Sequence, residues 1–338
     1  MLFSMNIEEN YSLLKHNTFG VNAITHWFIE YNDEEELKHI AKDEYVDEAQ
    51  VIHIGRGSNI LFLDEFYDGI VLHSAIKGRE IIDTYEDSVI VRIGASEVWD
   101  DIVAYAIENK WYGIENLSFI PGEIGAAAVQ NIGAYGQEIS KVIEGVEAVS
   151  LRSGEKFIFS GEACMYDYRG SRLKGWEERL VVTYVWLRLF RDEQYQLDYN
   201  IFRYTPNLSL SRIRQHIFKT RRQKLPDLSV LGNAGSFFKN PILASDEFNA
   251  LVAKYPKVPS NQHSDSEMKI PAGWLIEQCG FKGAREGNVG VYENHALVLV
   301  NHGQATGREI AAFAKKIQTV VFEKYGILLE PEVKYVGR

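Results

Sequence analysis

The stretch GNAGSFFKNP, residues 232–241, places one serine between a glycine and two phenylalanines. A hydrolase nucleophile lies in a GxSxG turn, but Ala234 and Phe238 occupy the two positions where that motif needs glycine. Phe237 and Phe238 exclude water, which suits proton donation by Ser236 better than acyl transfer. The residues alone therefore favour a proton donor, and a serine hydrolase is a distant alternative.

Two glycine-rich segments have the composition of ligand-binding loops. GRGSN (55–59) follows the apolar strand VIHIG, but Ile60 stands where a dinucleotide fingerprint needs its third glycine, so a tight turn is an open alternative. The segment 120–139 holds four glycines, and bare backbone can approach a flat ligand closely. Gln130 and Asn131 add amides able to pair with the edge of a heterocycle. This second segment favours a bound ligand over a packed turn.

Six basic residues cluster in SRIRQHIFKTRRQKLPD, residues 211–227. In a chain of net charge −11 such a cluster can steer an anion such as a nucleotide sugar, although a solvated helix face is its usual role. The acidic total argues against a nucleic-acid or anionic-membrane surface. The nine histidines form no HxxxH or HxH pair and the two cysteines no CxxC motif, so we predict no metal site and a reduced, cytoplasmic protein.

The intervening segments predict a mixed α+β chain. The expected helices lie at 32–44, 97–110, 209–222, 245–255, 271–279 and 307–326, and the expected strands and hairpins at 51–55, 70–73, 79–94, 146–160, 179–190, 289–303 and 327–337. Ser96 is the expected N-cap of the second helix, and Gly326 is the expected end of the last. The first residues predict no signal peptide, and no apolar stretch reaches the ~20 residues of a membrane helix.

Seven motifs in order resemble the UDP-N-acetylenolpyruvoylglucosamine reductase (MurB) family. They are IGRGSNILF (54–62), IPGEIGAAAVQNIGAYG (120–136), YRGS (168–171), KLPD (224–227), GNAGSFFKNP (232–241), AGWLIEQCG (272–280) and LEPEV (329–333). The resemblance implies an α+β enzyme with a two-part FAD-binding region of the vanillyl-alcohol-oxidase type and a third α+β domain for substrate. The expected domains are 1–73 completed by 326–338, then 74–205, then 206–325.

The activity that the resemblance implies is a cytoplasmic FAD-dependent reduction in peptidoglycan precursor synthesis. NADPH reduces FAD and leaves, and UDP-N-acetylenolpyruvoylglucosamine then enters the same cleft and becomes UDP-N-acetylmuramate. Hydride goes to the methylene carbon of the enolpyruvyl ether and a proton to the ether-bearing carbon. The resemblance implies neither membrane insertion, nor nucleic acid, nor an obligate protein partner.

The resemblance also assigns residues. Ser236 is the acid, while Arg169 and Glu330 polarise the substrate carboxylate; the chemistry itself demands an acid and a donor for the enolate charge. The implied cofactor residues are Gly55, Arg56, Gly57, Ser58, Asn59, Ile120, Gly122, Gly125, Ala126, Gln130, Asn131, Gly133, Ala134, Tyr135 and Arg221. The implied substrate residues are Tyr199, which marks the longer subtype of the family, with Lys224, Gly235, Asn240 and Gln278.

Two other classes of protein are alternatives. The FAD loops alone do not select the UDP-sugar, so a related flavoprotein acting on another substrate is the runner-up. A nucleotide-sugar-binding protein without catalytic activity is the third hypothesis. Taken singly, each residue has an ordinary structural explanation. Tyr199 would pack in the fold, Glu330 would be a solvated carboxylate, and Arg169 would form a surface ion pair. Only the ordered set of motifs favours the site.

Overall fold

The computed structural model describes residues 5–175, 179–197 and 208–337. The chain divides into two compact units, each assembled from separate stretches. The first comprises Met1–Tyr11, Thr25–Arg56 and Asp68–Arg221, and the second comprises Ser12–Ile24, Gly57–Tyr67 and Arg222–Arg338. The three-domain boundaries expected from the sequence stay a prediction.

The described residues form eight α-helices, most of them short. They are α1 Glu34–Ile40, α2 Glu44–Glu48, α3 Trp99–Glu108, α4 Ile124–Gln130, α5 Leu210–Lys224, α6 Ser245–Lys254, α7 Ala272–Gln278 and α8 Gly307–Tyr325. None of the described helices is long and apolar enough to cross a membrane.

The strands alternate with these helices along the chain, as expected for a mixed α+β protein. They are β1 Asn6–Ser12, β2 Ile24–Tyr31, β3 Val51–Ile54, β4 Ile60–Phe62, β5 Phe66–Ser74, β6 Arg79–Thr84, β7 Ser88–Gly94, β8 Gly133–Ala134, β9 Gln137–Glu138, β10 Ile143–Ser150, β11 Lys156–Ser160, β12 Leu180–Phe190, β13 Ile242–Ala244, β14 Asn261–Ser264, β15 Glu267–Lys269, β16 Arg285–Glu286, β17 Val289–Val291, β18 Leu299–Asn301 and β19 Lys334–Val336.

The first unit is built on two sheets, of strand order β1-β2-β5-β3 and β11-β10-β12-β7-β6. The hairpins predicted at 79–94 and 146–160 are confirmed, because β6–β7 and β10–β11 are antiparallel neighbours. Strand β12 buries Val185, Leu187 and Leu189 on one face of its sheet, as the period of two requires. Helix α3 joins that core through Trp99, whose indole Nε1 donates to the carbonyl of Leu117 at 2.9 Å.

Two local predictions at helix ends are wrong. The acidic stretch 32–44 is not one helix, because α1 ends at Ile40 and Asp43 caps a separate α2 by accepting from the backbone nitrogen of Tyr45 at 2.9 Å. Ser96 is not the N-cap of α3, since the cap position is Val98. The Ser96 hydroxyl instead donates to the carbonyl of Ile76 at 2.9 Å, which ties the turn to the end of β5.

The second unit has its longest element in α8. Thr306 and Glu309 form a capping box at its start, and Gly326 ends it at a φ of +71°, as predicted. The C-terminal strand is shorter than expected, since only β19 is extended, and it pairs in parallel with β4. Two three-stranded sheets, β13-β15-β14 and β16-β17-β18, complete the described part of this unit.

Candidate active site

Glycine lets the GRGSN loop touch the turn before α4. A Cβ at Gly55 would lie 2.8 Å from Oε2 of Glu123 and 3.5 Å from Cβ of Ala126, so a larger residue would push the two segments apart. Arg56, the next residue, is exposed, and so is Ala126. The two segments that the sequence assigned to the cofactor therefore meet within the first unit.

The rest of the GRGSN loop belongs to the second unit. Gly57 has a φ of +64°, and a Cβ there would lie 1.8 Å from the carbonyl oxygen of His16, so the position requires glycine. Asn59 donates through Nδ2 to the carbonyl of Glu332 at 3.1 Å. Ser58, half-buried, therefore lies between two fixed residues at the start of β4.

The glycine-rich segment 120–139 contains a helix rather than a continuous loop, because α4 covers Ile124–Gln130. Ala127 and Ala128 are buried in the same core as Trp99, and this burial supports a helix where the glycines predict a loop. Gly125 lies against Ala95, since a Cβ would approach the Ala95 Cβ to 2.8 Å. Small residues here serve close packing as well as ligand access.

Left-handed backbone is concentrated around this helix. Phe119, Asn131, Tyr135 and Arg169 have φ values of +61°, +49°, +51° and +59°, although none is glycine. Each such residue costs about 1–3 kcal/mol and persists only where surrounding contacts enforce it. Such outliers cluster at ligand sites, so their position indicates that the backbone shape of the segment is tied to function.

The Asn131 side chain holds this shape and does not offer its amide to a ligand. Its Nδ2 donates to Oε2 of Glu138 at 3.1 Å and to the carbonyl of Asp167 at 2.9 Å, while its Oδ1 accepts from the backbone nitrogen of Ser140 at 3.2 Å. Both donors and the acceptor are used within the protein. The Asn131 side chain therefore fixes the loop, and its expected pairing with a heterocycle stays a prediction.

The other predicted cofactor residues follow one another along the same segment of the first unit. They are Ile120, Gly122, Gln130, Gly133, Ala134 and Tyr135. Gly122 accepts from the backbone nitrogen of Trp99 at 3.0 Å, which joins the segment to the core. Gly133 and Ala134 form β8, which pairs with β9 in a short antiparallel ladder.

Arg169 lies directly on this segment. Its Nη2 donates to the carbonyl of Gly133 at 2.6 Å and its Nη1 to the carbonyl of Asn131 at 3.3 Å. Its guanidinium also lies 5.2 Å from the ring centre of Tyr168. The structure thus brings a residue predicted to bind substrate next to residues predicted to bind the cofactor.

Arg221 shows that this segment fits an anionic ligand. Its Nε donates to the carbonyl of Phe119 at 3.0 Å, and burial lowers the pKa of its guanidinium, partly offset by the nearby Tyr135. In the described part of the chain, the carboxylate of Asp100 pairs with Arg214 at 2.6 Å, and no ion pair includes Arg221. A half-buried cation held by a carbonyl favours an anionic partner, as a flavin or a diphosphate supplies. FAD fits these residues.

Ser236 lies in the second unit, in an extended stretch with neighbours on both sides. It forms a bridge with Val298, and two residues later Phe238 forms a bridge with Pro331. Phe237 and Phe238 are buried, while Ser236 is half-buried. Among the described residues the Ser236 hydroxyl has no hydrogen-bond partner, so this apolar strand presents a hydroxyl that is available to a ligand.

Glu330 lies beside the same stretch, because its carbonyl accepts from the backbone nitrogen of Lys239 at 2.9 Å. The side chains of the two residues also pair, with Lys239 Nζ 2.7 Å from Glu330 Oε1. Glu330 is 70% exposed, so the pair contributes little to stability. The effect of the pair is electrostatic, since the ammonium of Lys239 offsets the negative charge of Glu330.

Known proteins with related sequences identify the family. A family model described as FAD binding domain matches residues 26–159, and one described as UDP-N-acetylenolpyruvoylglucosamine reductase, C-terminal domain, matches residues 226–336. A UDP-N-acetylenolpyruvoylglucosamine reductase of Porphyromonas gingivalis is 48% identical over 98% of this chain and 100% of its own length. The chain belongs to the UDP-N-acetylenolpyruvoylglucosamine reductase family. The enzyme of that name from Bacteroides fragilis is 44% identical, with the same coverage of both chains.

The fold agrees with this reductase family. The crystal structure of UDP-N-acetylenolpyruvylglucosamine reductase (MurB) from Thermus caldophilus matches with a TM-score of 0.71 at 23% identity, over 99% of this chain and 100% of that one. The resemblance carried by the seven motifs is confirmed, and so is the α+β fold class. The chain is an FAD-dependent oxidoreductase.

The substrate residues expected for this reductase family lie in the second unit, except Tyr199, which is outside the described residues. Gly235 has a φ of +68° and no neighbour within 4 Å of a Cβ, so the backbone before Ser236 is open. Asn240 accepts through Oδ1 from the backbone nitrogen of Ala272 at 2.9 Å and so fixes the start of α7. Lys224 and Gln278 are exposed at the ends of α5 and α7.

Sequence reasoning missed Glu123 and the pairing of Lys239 with Glu330, although Glu123 and Lys239 both lie inside motifs of the reductase family. Lys239 follows the two phenylalanines, and the signal was its place three residues after Ser236. Glu123 interrupts the glycines of the second segment, and a charged residue among small ones was the signal there. The structural partners of both residues are distant in sequence. Within the described residues there is no cluster of three or more potential metal ligands.

Proposed function

We propose that this chain reduces the enolpyruvyl ether of UDP-N-acetylenolpyruvoylglucosamine to UDP-N-acetylmuramate in peptidoglycan precursor synthesis. The reductant is NADPH, which acts through FAD, and both substrates use one cleft of a single cytoplasmic enzyme. The observation that best supports this assignment is the pairing of the stretch that bears Ser236 with the segment that bears Glu330. It places the residue that would donate the proton and the residue that would polarise the substrate carboxylate on paired segments of the second unit.

Each residue has a separate task. When bound, FAD would supply the hydride transfer from NADPH to the methylene carbon of the enol ether. Ser236 donates the proton that the ether-bearing carbon then needs. Arg169 and Glu330 polarise the substrate carboxylate as enolate charge develops. Lys239 keeps Glu330 from repelling that carboxylate, since its ammonium lies 2.7 Å away.

Substrate recognition falls to polar residues near the same strand. Asn240 and Gly235 flank the stretch that carries Ser236, and Asn240 keeps Nδ2 as a donor while its Oδ1 caps α7. Lys224 supplies a cation for the diphosphate of the UDP-sugar, and Gln278 an amide. Tyr199 is the further contact that the longer subtype of the family implies.

The proton-donor role can be separated from flavin reduction by measuring the two half-reactions. For Ser236→Ala we expect NADPH to reduce the flavin at the wild-type rate, because no proton from Ser236 enters that step. Reoxidation of reduced flavin by UDP-N-acetylenolpyruvoylglucosamine without oxygen should slow by about 10²–10³-fold. Stopped-flow absorbance of the flavin follows both steps.

Ser229→Ala, seven residues upstream of Ser236, is the matched control, since the Ser229 hydroxyl donates to Asp227. It should leave both half-reactions unchanged. Equal slowing of both steps in Ser236→Ala would show that Ser236 is not the acid. If NADPH reduced the flavin of the wild-type protein but the enol ether did not reoxidise it, the proposed substrate would be wrong. If the protein bound no FAD, the proposed flavoenzyme activity would be wrong.

A further inference from the structure

A histidine lies between two carboxylates beside the predicted cofactor segments. Nδ1 of His73, on β5, is 2.8 Å from Oε2 of Glu30, on β2, and its Nε2 is 3.5 Å from Oε1 of Glu123. The side chains of His73 and Glu123 are 14% and 9% exposed, so water screens this contact poorly. All three residues belong to the first unit.

Glu123 occupies the point where the two cofactor segments meet. It stands at the N-cap of α4 but makes no capping bond with its side chain. One carboxylate oxygen faces His73, and the other lies where a Cβ of Gly55 would come within 2.8 Å. The orientation of this carboxylate therefore sets how closely the GRGSN loop can approach α4.

The surroundings of His73 favour its protonated form. Strand β2 contributes Glu30 and the ring of Phe28, stacked at 6.1 Å, and the turn before α4 contributes Glu123. Strand β3 places Ile54 in register with His73, next to His53. Burial lowers the pKa of His73, but the two carboxylates outweigh burial, so the pKa is raised above 6.5.

We propose that His73 is a positioning residue of the FAD site, which holds the Glu123 carboxylate in place and offsets its charge where the anionic cofactor binds. The proposal rests on FAD binding beside Gly55 and the α4 segment. A neutral His73 leaves a buried negative charge beside a loop that must accept a diphosphate, which opposes cofactor binding. Because the imidazolium is lost as the pH rises through the raised pKa, FAD affinity should fall over that range.

The test is the FAD dissociation constant of FAD-free protein, measured by fluorescence titration between pH 6 and pH 9. His73→Gln keeps a polar side chain but has no charge, and we expect binding about 10-fold weaker at pH 7, with the pH dependence lost. A double variant adds Glu123→Gln to His73→Gln and so removes the carboxylate charge that His73 offsets. The double variant should therefore bind FAD within about 3-fold of wild type at every pH.

His53→Gln is the matched control, because it changes a histidine on the neighbouring strand that contacts the hydroxyl of Tyr31. It should keep the wild-type pH profile. An NMR titration should also give His73 a pKa above 6.5 in FAD-free protein. If His73→Gln bound FAD with the wild-type profile, or if Glu123→Gln did not restore binding, the positioning role would be wrong while the enzyme assignment stood. Wild-type protein without FAD affinity would overturn both.

Discussion

Two groups of cations in the first unit are held in opposite ways. On one face of the larger sheet, Arg92 and Lys156 both contact the carboxylate of Glu147, which is 2% exposed. Beside α4, Arg169 and Arg221 donate to backbone carbonyls of the cofactor segment. A carboxylate cancels the charge of its partner, whereas a carbonyl only orients it. The first group therefore serves the fold, and the second places positive charge beside the segment that is predicted to bind the cofactor.

The sheet group is a closed network. Lys156 Nζ lies 2.6 Å from Glu147 and 2.7 Å from Glu34. Trp186 donates its indole nitrogen to Glu147 at 2.7 Å, and the Arg92 guanidinium lies 3.3 Å from the ring centre of Tyr184. Burial raises the pKa of Glu147, but hydrogen bonds from its three donors outweigh this and lower the pKa to about 2.

The largest expected effect comes from removing Arg221. Arg221→Met should weaken FAD binding about 100-fold, because the half-buried cation is lost from the segment that the anion approaches. The free energy of unfolding should change by no more than about 1 kcal/mol, since methionine fills the volume without a desolvated charge. FAD titration and urea unfolding of FAD-free protein measure the two quantities.

Arg92→Met is the matched variant in the sheet group. It leaves the buried Glu147 with one cation fewer, so unfolding should become easier by about 3 kcal/mol while FAD affinity stays at the wild-type value. If Arg221→Met destabilised the protein as much as Arg92→Met and left FAD affinity unchanged, the two groups would not differ in purpose.

The sequence predicts best the elements whose signals are local. The face of α8 repeats Ile310, Phe313 and Ile317, and its end at Gly326 needs only the left-handed freedom of glycine. The two hairpins follow from alternation interrupted by turn residues. In these cases short-range chemistry and tertiary packing favour the same structure, so the prediction is confirmed.

The sequence predicts least well the segments whose structure depends on contacts between residues that are distant in sequence. Helix α4 forms among glycines because Ala127 and Ala128 are buried in the Trp99 core, which the local composition does not reveal. The Asn131 amide is used by three neighbours up to 36 residues away. Ordered motifs identified the enzyme family and named the site residues, but not the pairing of Lys239 with Glu330, which lie 91 residues apart.

Acid unfolding offers a second test of the sheet group. The pKa of Glu147 falls from 4.5 to about 2 on folding, so its stabilisation is complete above pH 4.5 and is lost as the pH falls towards 2. Glu147→Gln should therefore cost about 2 kcal/mol at pH 7, with a difference from wild type that shrinks across that acid range. Urea unfolding at a series of pH values measures it.

Glu35→Gln is a control for this acid range, because Glu35 pairs with Lys38 at an exposed position where solvent screens the charge. Lys38 lowers the pKa of Glu35 only at this exposed site, so Glu35→Gln should change the pH dependence of stability much less than Glu147→Gln does. FAD affinity at pH 7 should be the same in both variants. If the difference in unfolding free energy between wild type and Glu147→Gln grew towards low pH, the lowered pKa of Glu147 would be wrong.

The smallest effect is expected for Lys156→Met, and it tests whether the two groups are independent. The Lys156 side chain is 30% exposed, and Glu147 keeps Arg92 and Trp186 after its loss, so unfolding should become easier by only about 1 kcal/mol. FAD affinity should not change, because the two carboxylates that Lys156 contacts among the described residues, Glu34 and Glu147, lie outside the cofactor segment. Independent sites should not change the FAD dissociation constant by more than about 3-fold. A larger change would mean that the sheet face and the α4 segment share one electrostatic network. The division between cations that stabilise the fold and cations that bind the ligand would then be wrong.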